Sequence, residues 1–414
     1  MATAAMTRAS IARAYPSSAH PTTKEDRVMA CRLMEKVYGK WRGESDFTPK
    51  PLPASEAGEG PFGSQRRYLW TDAFGVLNLV TEARRCDEAG DRGGRDDALR
   101  ATRALVEAVH DTLAQPRSPD LPMAFSERRP FGPVALHRGR RHKGLRIGKR
   151  LAAPSSDPGM SLDGMYFHYL DKWLFALARA SAEFARHDPD EPFAAELASE
   201  AARVVKDVHP HFVERDGSAP LGVRWKINAD CSPIRGSPPT RPSGDAVSGC
   251  VAYVAVAEEL ARRDVGPSIA WEQSDMRDIA RQLRPAVSWD PLGWGLQAWE
   301  AQWLPRDSPT WGCFVDELFS AAATDRVANA GRRRELPFRL YGAYLGARVS
   351  ERADLQAAAT ASARDAAERE LARANAEAAA ADDDDGLDSI NRVMLAAALD
   401  PLAFCRRVEE PRIV

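Results

Sequence analysis

Apolar residues recur at three- and four-residue steps through most of this chain, which is the spacing of one face of an α-helix. No segment shows a convincing two-residue alternation of the kind that a half-buried β-strand requires. We therefore predict an all-α protein with roughly ten to twelve helices and short strands at most in 125–150 and 220–230. The predicted helices cover 24–42, 67–86, 95–115, 163–187, 192–213, 243–263, 268–285, 290–305, 311–323, 337–350, 355–381 and 387–399.

Residues 163–179, DGMYFHYLDKWLFALAR, contain more aromatic side chains, and more of them with polar groups, than a helix that only packs in a core needs. Apolarity around most of a helix indicates burial on several sides. Helices of this kind alternate along the chain with charged, strongly amphipathic ones such as 95–115. The alternation predicts two layers, in which apolar inner helices form a ring and amphipathic outer helices surround it.

Three of the predicted inner helices begin with a similar pattern, in which an aspartate falls in the first turn with a glycine shortly before or after it. The starts are Thr71-Asp72-Ala73-Phe74-Gly75, Asp163-Gly164-Met165-Tyr166-Phe167 and Ser243-Gly244-Asp245-Ala246-Val247. A fourth start, Asp290-Pro291-Leu292-Gly293-Trp294, has a similar sequence. Thr71 and Ser243 are candidate N-caps. With all inner helices pointing the same way, the first-turn acids gather at one rim of the ring.

This alternation, together with YLWTDAFG, DGMYFHYLDKW, PSGDAVSG and PLGWGLQAW, resembles the six-hairpin glycosidase superfamily, and most of all its uncharacterised branch. The resemblance covers about residues 24–350 and the last helix. It implies an (α/α)6 toroid of alternating inner and outer helices. The superfamily includes glycoside hydrolases, sugar epimerases and polysaccharide lyases, so the fold leaves the reaction open.

Composition divides the chain into three parts. Residues 1–23 contain Arg and Ser but no acid, which is typical of a disordered tail or of a short organellar transit segment. Residues 24–354 with 387–414 are predicted to form the toroid domain. Residues 355–386 are rich in Ala, Glu and Arg and include four consecutive aspartates, which predicts a solvated helix and an acidic linker.

Charge and cysteine content exclude several classes of function. Lys plus Arg number 57 and Asp plus Glu 59, so the net charge of −2 predicts no attraction to nucleic acid or to an anionic membrane. No apolar run approaches the roughly 18 residues of a membrane helix. The six cysteines are widely spaced, and no metal or cofactor motif is present. We expect a cytoplasmic protein, or an organellar one through its N-terminal segment, and the oligomeric state stays open.

The first-turn aspartates Asp72, Asp163 and Asp245 are the candidate catalytic acids. Hydrolysis of a glycosidic bond needs one carboxyl group to protonate the leaving oxygen and a second to activate water or attack the sugar. Asp72 and Asp163 are the preferred pair. The alternative is that each aspartate only stabilises a helix N-terminus, by about 0.3–1 kcal/mol. His168 is a further candidate as a general acid/base or sugar ligand, with a buried core histidine as its alternative.

Aromatic and basic side chains supply the candidate substrate-binding residues. Sugar rings stack on Trp and Tyr, and the aromatic residues expected to serve this role are Trp70, Tyr166, Tyr169 and Trp225. Core packing is the alternative for each of them. The basic loop 137–150 is typical of a solvated charge run or of RNA contact. Within the resembled family this loop is expected near the rim, which makes Arg146 and Lys149 candidate substrate contacts.

The sequence therefore favours a carbohydrate-active enzyme that hydrolyses a glycosidic bond with paired carboxylates at the inner-helix rim. A sugar epimerase or isomerase with His168 as its proton-transfer group is one alternative. A non-catalytic toroid that binds a glycan or a protein is the other. A separation of roughly 5–9.5 Å between two cleft carboxyl groups supports hydrolysis. The sequence does not specify the sugar, the linkage or the retaining or inverting outcome.

Overall fold

The computed structural model describes nine parts of the chain. They are residues 22–54, 56–60, 63–117, 123–126, 142–149, 163–234, 244–330, 336–377 and 387–413. Over these residues the protein is mostly helical, as the periodicity predicts, with thirteen α-helices and six short strands.

Each predicted helix is present to within five residues at either end, except that the predicted helix 311–323 is replaced by two shorter ones. The helices are α1 (Lys24–Tyr38), α2 (Leu69–Glu88), α3 (Arg92–Leu113), α4 (Phe167–His187), α5 (Pro192–Phe212), α6 (Asp245–Arg263), α7 (Ala270–Gln282), α8 (Pro291–Glu300), α9 (Pro309–Leu318), α10 (Ala321–Ala330), α11 (Pro337–Arg348), α12 (Ala353–Glu377) and α13 (Asp388–Leu399).

The strands form three antiparallel pairs. They are β1 (Glu59–Gly60) with β2 (Gly63–Arg66), β3 (Gly164–Tyr166) with β6 (Lys226–Asn228), and β4 (Val213–Asp216) with β5 (Ala219–Val223). The short strands predicted in 220–230 are thus found. In the described part of 125–150 there are only isolated bridges, such as the one between Phe125 and His142. Pairing with β6 makes residues 164–166 extended, so α4 begins later than the periodicity predicts.

Six helices contact one another in a closed cycle. Helix α2 packs against α4, α4 against α6, α6 against α8, α8 against α11, α11 against α13, and α13 against α2. Helix α4 buries Trp173, Leu174 and Phe175 in succession, because it has neighbours on several sides. The remaining helices pack on members of this cycle: α3 on α2, α5 on α4 and α6, α7 on α6, α9 and α10 on α8, α1 on α13, and α12 on α11 and α13.

Helix α12 is packed along one face, which corrects the expectation that the helix within 355–386 is solvated. Its small residues Ala359, Ala363 and Ala367 are buried, and the helix contacts α1, α11 and α13. An ion pair between Arg364 and Asp26 also joins it to α1. Alanine gives little apolar signal in a sequence, but it lets helices approach closely. The run of aspartates at 382–385 lies outside the described residues, as does Ser243.

Glycine residues set the distance between α8 and α11. A Cβ atom on Gly295 would stand 2.0 Å from the carbonyl oxygen of Gly342, and one on Gly346 would stand 2.3 Å from the carbonyl oxygen of Gly295. Both distances are far below van der Waals contact, so larger residues do not fit. This contact positions α8, whose last residue is Glu300.

The segment after α13 contacts several members of the helix cycle and joins them. The ring of Phe404 lies 5.2 Å from that of Phe74 on α2, and its carbonyl oxygen accepts a hydrogen bond from Trp299 Nε1 at 2.9 Å. Glu410 forms a buried ion pair with Arg179 of α4. Its Oε2 also accepts from Trp303 Nε1 at 3.1 Å. The segment therefore ties α2, α4 and α8 together.

None of the helices in the described part of the chain combines the length and the apolarity needed to cross a membrane.

Candidate active site

Helices α4, α6 and α8 border a cavity of about 430 Å³. Its polar lining side chains are His168 and Lys172 of α4, Asp245 and Ser248 of α6, Arg284, and Gln297 and Glu300 of α8. Trp311 and Phe314 of α9 supply apolar wall. The cavity thus combines apolar surface with several convergent polar groups, as binding sites for small molecules usually do.

Helix geometry brings the polar groups to one place. His168 is the second residue of α4, and Lys172 follows it four positions later, which puts both on one face. Asp245 is the first residue of α6, and Ser248 lies three positions later on the same face. The starts of α4 and α6 therefore both contribute to the cavity, and Asp245, one of the predicted catalytic acids, is among its lining residues.

Lys172 is the buried cation of the site, with only 2% of its surface exposed. Its ammonium group donates to Asp171 Oδ1 at 2.9 Å and to Ser248 Oγ. The Nζ atom also lies 4.8 Å from the centre of the Trp299 ring, a cation–π contact. A buried charge is tolerated when it is paired and hydrogen-bonded, and Lys172 meets both conditions.

Two carboxyl groups of the cavity titrate near neutral pH. Burial raises the pKa of Asp245 to about 7, with Asp171 adding to the rise and Lys172 opposing it. Burial raises the pKa of Glu300 to about 8, with Lys172 opposing the rise and Asp171 adding to it. Carboxyl groups in this range are suited to general acid and general base roles at physiological pH.

His168 is neutral at pH 7. Burial lowers its pKa to about 4, and the neighbouring Lys172 adds to this lowering. The imidazole stacks on Tyr166 at 5.2 Å and lies edge-on to Tyr169 at 4.8 Å between ring centres. A neutral imidazole both donates and accepts a hydrogen bond, so His168 has the capacity to orient a hydroxyl group or to transfer a proton.

The four predicted aromatic residues form one cluster beside His168. Trp225 stacks on Tyr166 at 5.3 Å, and Trp70 contacts Tyr169 at 5.2 Å. Trp225 is 37% exposed and is open to a ligand, whereas Trp70 is 2% exposed. Trp70 is therefore a core residue, which corrects its predicted place in the cleft. It lies in the first turn of α2, where Phe74 and Tyr169 cover it.

Asp72 does not line the cavity, which corrects its assignment as a catalytic acid. It is fully buried; its Oδ1 accepts a hydrogen bond from Tyr38 Oη at 3.1 Å and pairs with Arg67 at 3.4 Å. Its Oδ2 accepts from the backbone amide of Tyr68 at 3.2 Å, so Asp72 caps the start of α2. Because α2 begins before Thr71, that residue is not the N-cap.

Asp163, Arg146 and Lys149 also lie apart from the cavity lining. Arg146 Nη1 donates to Asp163 Oδ2 at 2.7 Å in a buried ion pair, and its other nitrogens donate to carbonyl groups at the end of α3. Asp163 Oδ1 accepts from the amides of Gly148 and Lys149 at 3.1 and 3.3 Å. These contacts hold the loop against α3. The structure therefore gives Asp163 and Arg146 a structural role, and it does not join Asp72 and Asp163 into a catalytic pair.

Sequence reasoning missed Lys172, Ser248 and Glu300. Asp171 and Lys172 are adjacent charges within a helix that is buried on most sides, and Glu300 is an acid inside a tryptophan-rich segment. A charge on a helix that is buried on most sides must be paired or functional. Lys172 and Glu300 therefore carried a usable signal in the sequence. Ser248 carried none, because serine is common at the start of helices.

No group of three or more His, Cys, Asp or Glu side chains is placed to hold a metal ion within the residues that the structure describes.

No known protein family, curated protein or solved structure matches the chain. The chemistry of the cavity is therefore the basis on which a function is inferred.

Proposed function

We propose that this protein is a carbohydrate-active enzyme related to the six-hairpin glycosidases, and that it hydrolyses a glycosidic bond in the cavity between α4, α6 and α8. The proposed fold is an (α/α)6 toroid. Its support is the closed cycle of α2, α4, α6, α8, α11 and α13 with the other helices packed on it. The observation that carries the proposed reaction is that two carboxyl groups with near-neutral pKa values, Asp245 and Glu300, line one cavity.

We assign the two carboxyl groups different roles because the charge of Asp245 raises the pKa of Glu300. Glu300, with a pKa of about 8, keeps its proton at pH 7 and is the general acid that protonates the leaving oxygen. Asp245, with a pKa of about 7, ionises first and activates water or attacks the sugar. The negative charge of Asp245 further raises the pKa of Glu300, which keeps the two roles apart. The expected pH–rate profile rises near pH 7 and falls near pH 8.

The surroundings of the two acids suit a sugar substrate. A volume of about 430 Å³ lies within the range of roughly 300–1,000 Å³ that is usual for small-molecule sites. Gln297, Arg284 and His168 provide donors and acceptors for hydroxyl groups. The stacked pair of Trp225 and Tyr166 beside His168 offers an aromatic surface for a second sugar ring, so the proposed substrate is an oligosaccharide.

A screen of aryl glycosides and oligosaccharide mixtures tests the proposal. Once a substrate is found, Asp245→Asn and Glu300→Gln should each lower kcat/KM by about 10²–10⁴-fold, the usual contribution of a general acid or base. Glu258→Gln is the matched control. Glu258 lies on α6 like Asp245, and burial raises its pKa to about 7, but it lines a different cavity. Unchanged turnover in both cavity variants would refute the mechanism.

A sugar epimerase or isomerase is the second candidate function, and the neutral His168 in the cavity wall favours it. Such an enzyme removes a proton from carbon and returns one, so reaction in D₂O leaves deuterium on carbon. Hydrolysis in H₂¹⁸O instead places ¹⁸O on the released sugar. Binding of a glycan without incorporation of deuterium or ¹⁸O into it would favour the non-catalytic alternative.

A further inference from the structure

A second cavity, of about 300 Å³, lies between α6, α7 and the segment after α13. Its volume is at the lower end of the range of roughly 300–1,000 Å³ that is usual for small-molecule sites. Its polar lining side chains are Glu258, Gln273, Arg277 and Arg412. The rest of its wall is small and apolar, and consists of Cys250, Val254, Ala257, Ala261, Pro411 and Ile413.

The cavity reaches from the surface into the core and has fixed walls. Ile413 is buried, whereas Pro411 is exposed. The backbone amide of Ile413 donates to the Trp303 carbonyl at 2.9 Å. Gln273 Nε2 donates to the Tyr253 carbonyl at 3.2 Å, which joins α7 to α6. A ligand therefore meets a cavity that is already formed.

Two guanidinium groups of this cavity have no carboxylate partner. Arg277 of α7 is half-buried, and within the described part of the chain it forms no hydrogen bond and no ion pair. Arg281, one turn later on the same helix, is exposed and pairs with Asp278 at 3.0 Å. Arg412 donates only to two backbone carbonyl groups just beyond α8, at 2.8 and 2.9 Å, which do not neutralise its charge. The cavity thus has positive charge to offer to an anion.

Glu258 is the one acid among the described residues that line the cavity, and it does not cancel this charge. Its Oε2 already accepts from Arg262 Nη2 at 3.2 Å. Burial raises the pKa of Glu258 to about 7, so the group is mainly neutral at pH 6. The unpaired guanidinium groups therefore dominate the charge of the cavity at pH 6.

We propose that this cavity is a binding site for a small organic carboxylate, whose carboxylate group pairs with Arg277 and whose hydrocarbon part covers Val254, Ala257 and Ile413. A guanidinium group matches a carboxylate with two parallel hydrogen bonds. Burial of the apolar wall favours a ligand with a hydrocarbon part over a compact, hydrated anion. The inference is independent of the proposed function, because none of these residues lines the cavity between α4, α6 and α8.

Titration of the full-length protein with hexanoate at pH 6 tests the inference. The methyl signals of Ile413, assigned by their loss in Ile413→Val, report binding in this cavity and not in the one between α4, α6 and α8. We expect a saturable shift with a Kd below about 10 mM. Hexanamide has the same shape without the charge, and it should bind at least about tenfold more weakly.

Substitutions on α6 and α7 locate the contacts. Arg277→Gln should raise the Kd for hexanoate at least about tenfold, because it removes the charged partner. Arg281→Gln is the matched control and should leave the Kd unchanged. Ala257→Leu fills the cavity without changing its charge, so it should also weaken binding, and it keeps the inference testable if Arg277→Gln does not fold.

Three outcomes would overturn the inference. The first is no saturable shift of the Ile413 signals in the wild-type protein. The second is an equal Kd for the wild type and for a folded Arg277→Gln or Ala257→Leu variant. The third is displacement of hexanoate by an equal concentration of inorganic phosphate, which would show a general anion site without preference for an organic carboxylate.

Discussion

At the scale of single residues, Glu300 shows how the cavity affects stability. Burial raises its pKa from an ordinary 4.5 to about 8. Between these two pH values the unfolded chain has lost the proton while the folded protein retains it. The folded state therefore binds more protons in this window, and its stability falls as the pH rises until the decrease is complete above about pH 8. The raised pKa of Asp245 also lowers the stability of the folded protein as the pH rises, and this decrease is complete above about pH 7.

Glu300→Gln removes this ionisation and should stabilise the protein at pH 8.5 by an amount on the order of a few kcal/mol. At pH 4, where the carboxyl group is protonated in both states, the change should be small. Thermal unfolding at the two pH values measures the difference. Glu317→Gln, at an exposed position on α9, is the control and should be neutral at both. An equal effect of Glu300→Gln at both pH values would contradict the explanation.

The residues of the site were partly predictable from the sequence. Asp245 and His168 were candidates, and both line the cavity. Asp72 and Asp163 have much the same sequence signature as Asp245, yet each is held in a buried ion pair, with Arg67 and Arg146 respectively. A helix-start aspartate has the same appearance in the sequence whether it meets an arginine or a cavity. Only the tertiary structure separates the two cases.

At the scale of elements, the contact between α8 and α11 determines where Glu300 lies. Gly346→Ala places a methyl group 2.3 Å from the Gly295 carbonyl oxygen, so the two helices must separate. We expect a loss of about 1–3 kcal/mol in the free energy of unfolding, as is typical of overpacking. Gly93→Ala is the matched control, because α3 leaves that position open; only Asp91 Oδ1 comes near, at 3.8 Å.

Urea unfolding of the two glycine variants decides this prediction. Gly93→Ala should stabilise the protein by about 0.5–1 kcal/mol, since alanine favours a helix more than glycine does. Equal midpoints for the two variants would show that α8 and α11 tolerate separation.

Periodicity predicted the helices themselves but not all of their boundaries or environments. The strand β3 shortens the predicted aromatic helix because residues 226–228 pair with residues 164–166, and such pairing leaves no mark in the local sequence. The same holds for α12, whose buried surface consists largely of alanine. Its burial depends on neighbours that are distant in the chain.

At the scale of the whole molecule, the segment after α13 joins helices from both halves of the chain. Glu410→Ala leaves Arg179 buried without its partner, and we expect a loss of about 3–5 kcal/mol. Glu409→Ala removes the neighbouring acid, which pairs with the partly exposed Arg262 at 3.2 Å, and should cost at most about 1 kcal/mol. Midpoints of urea unfolding compare the two, and similar losses would refute a special role for Glu410.

The contact between α1 and α13 also has a consequence for biosynthesis. Leu33, Met34 and Val37 are buried residues of α1, a helix that packs against α12 and α13. About 350 residues separate α1 from α13, and a ribosome adds roughly 5–20 residues per second, so α1 waits roughly 20–70 s for this partner. During that time the part of its apolar side that α13 covers is open to chaperones and to other nascent chains. We therefore expect yield in the cell to depend on protection of α1 during translation as well as on the stability of the finished fold.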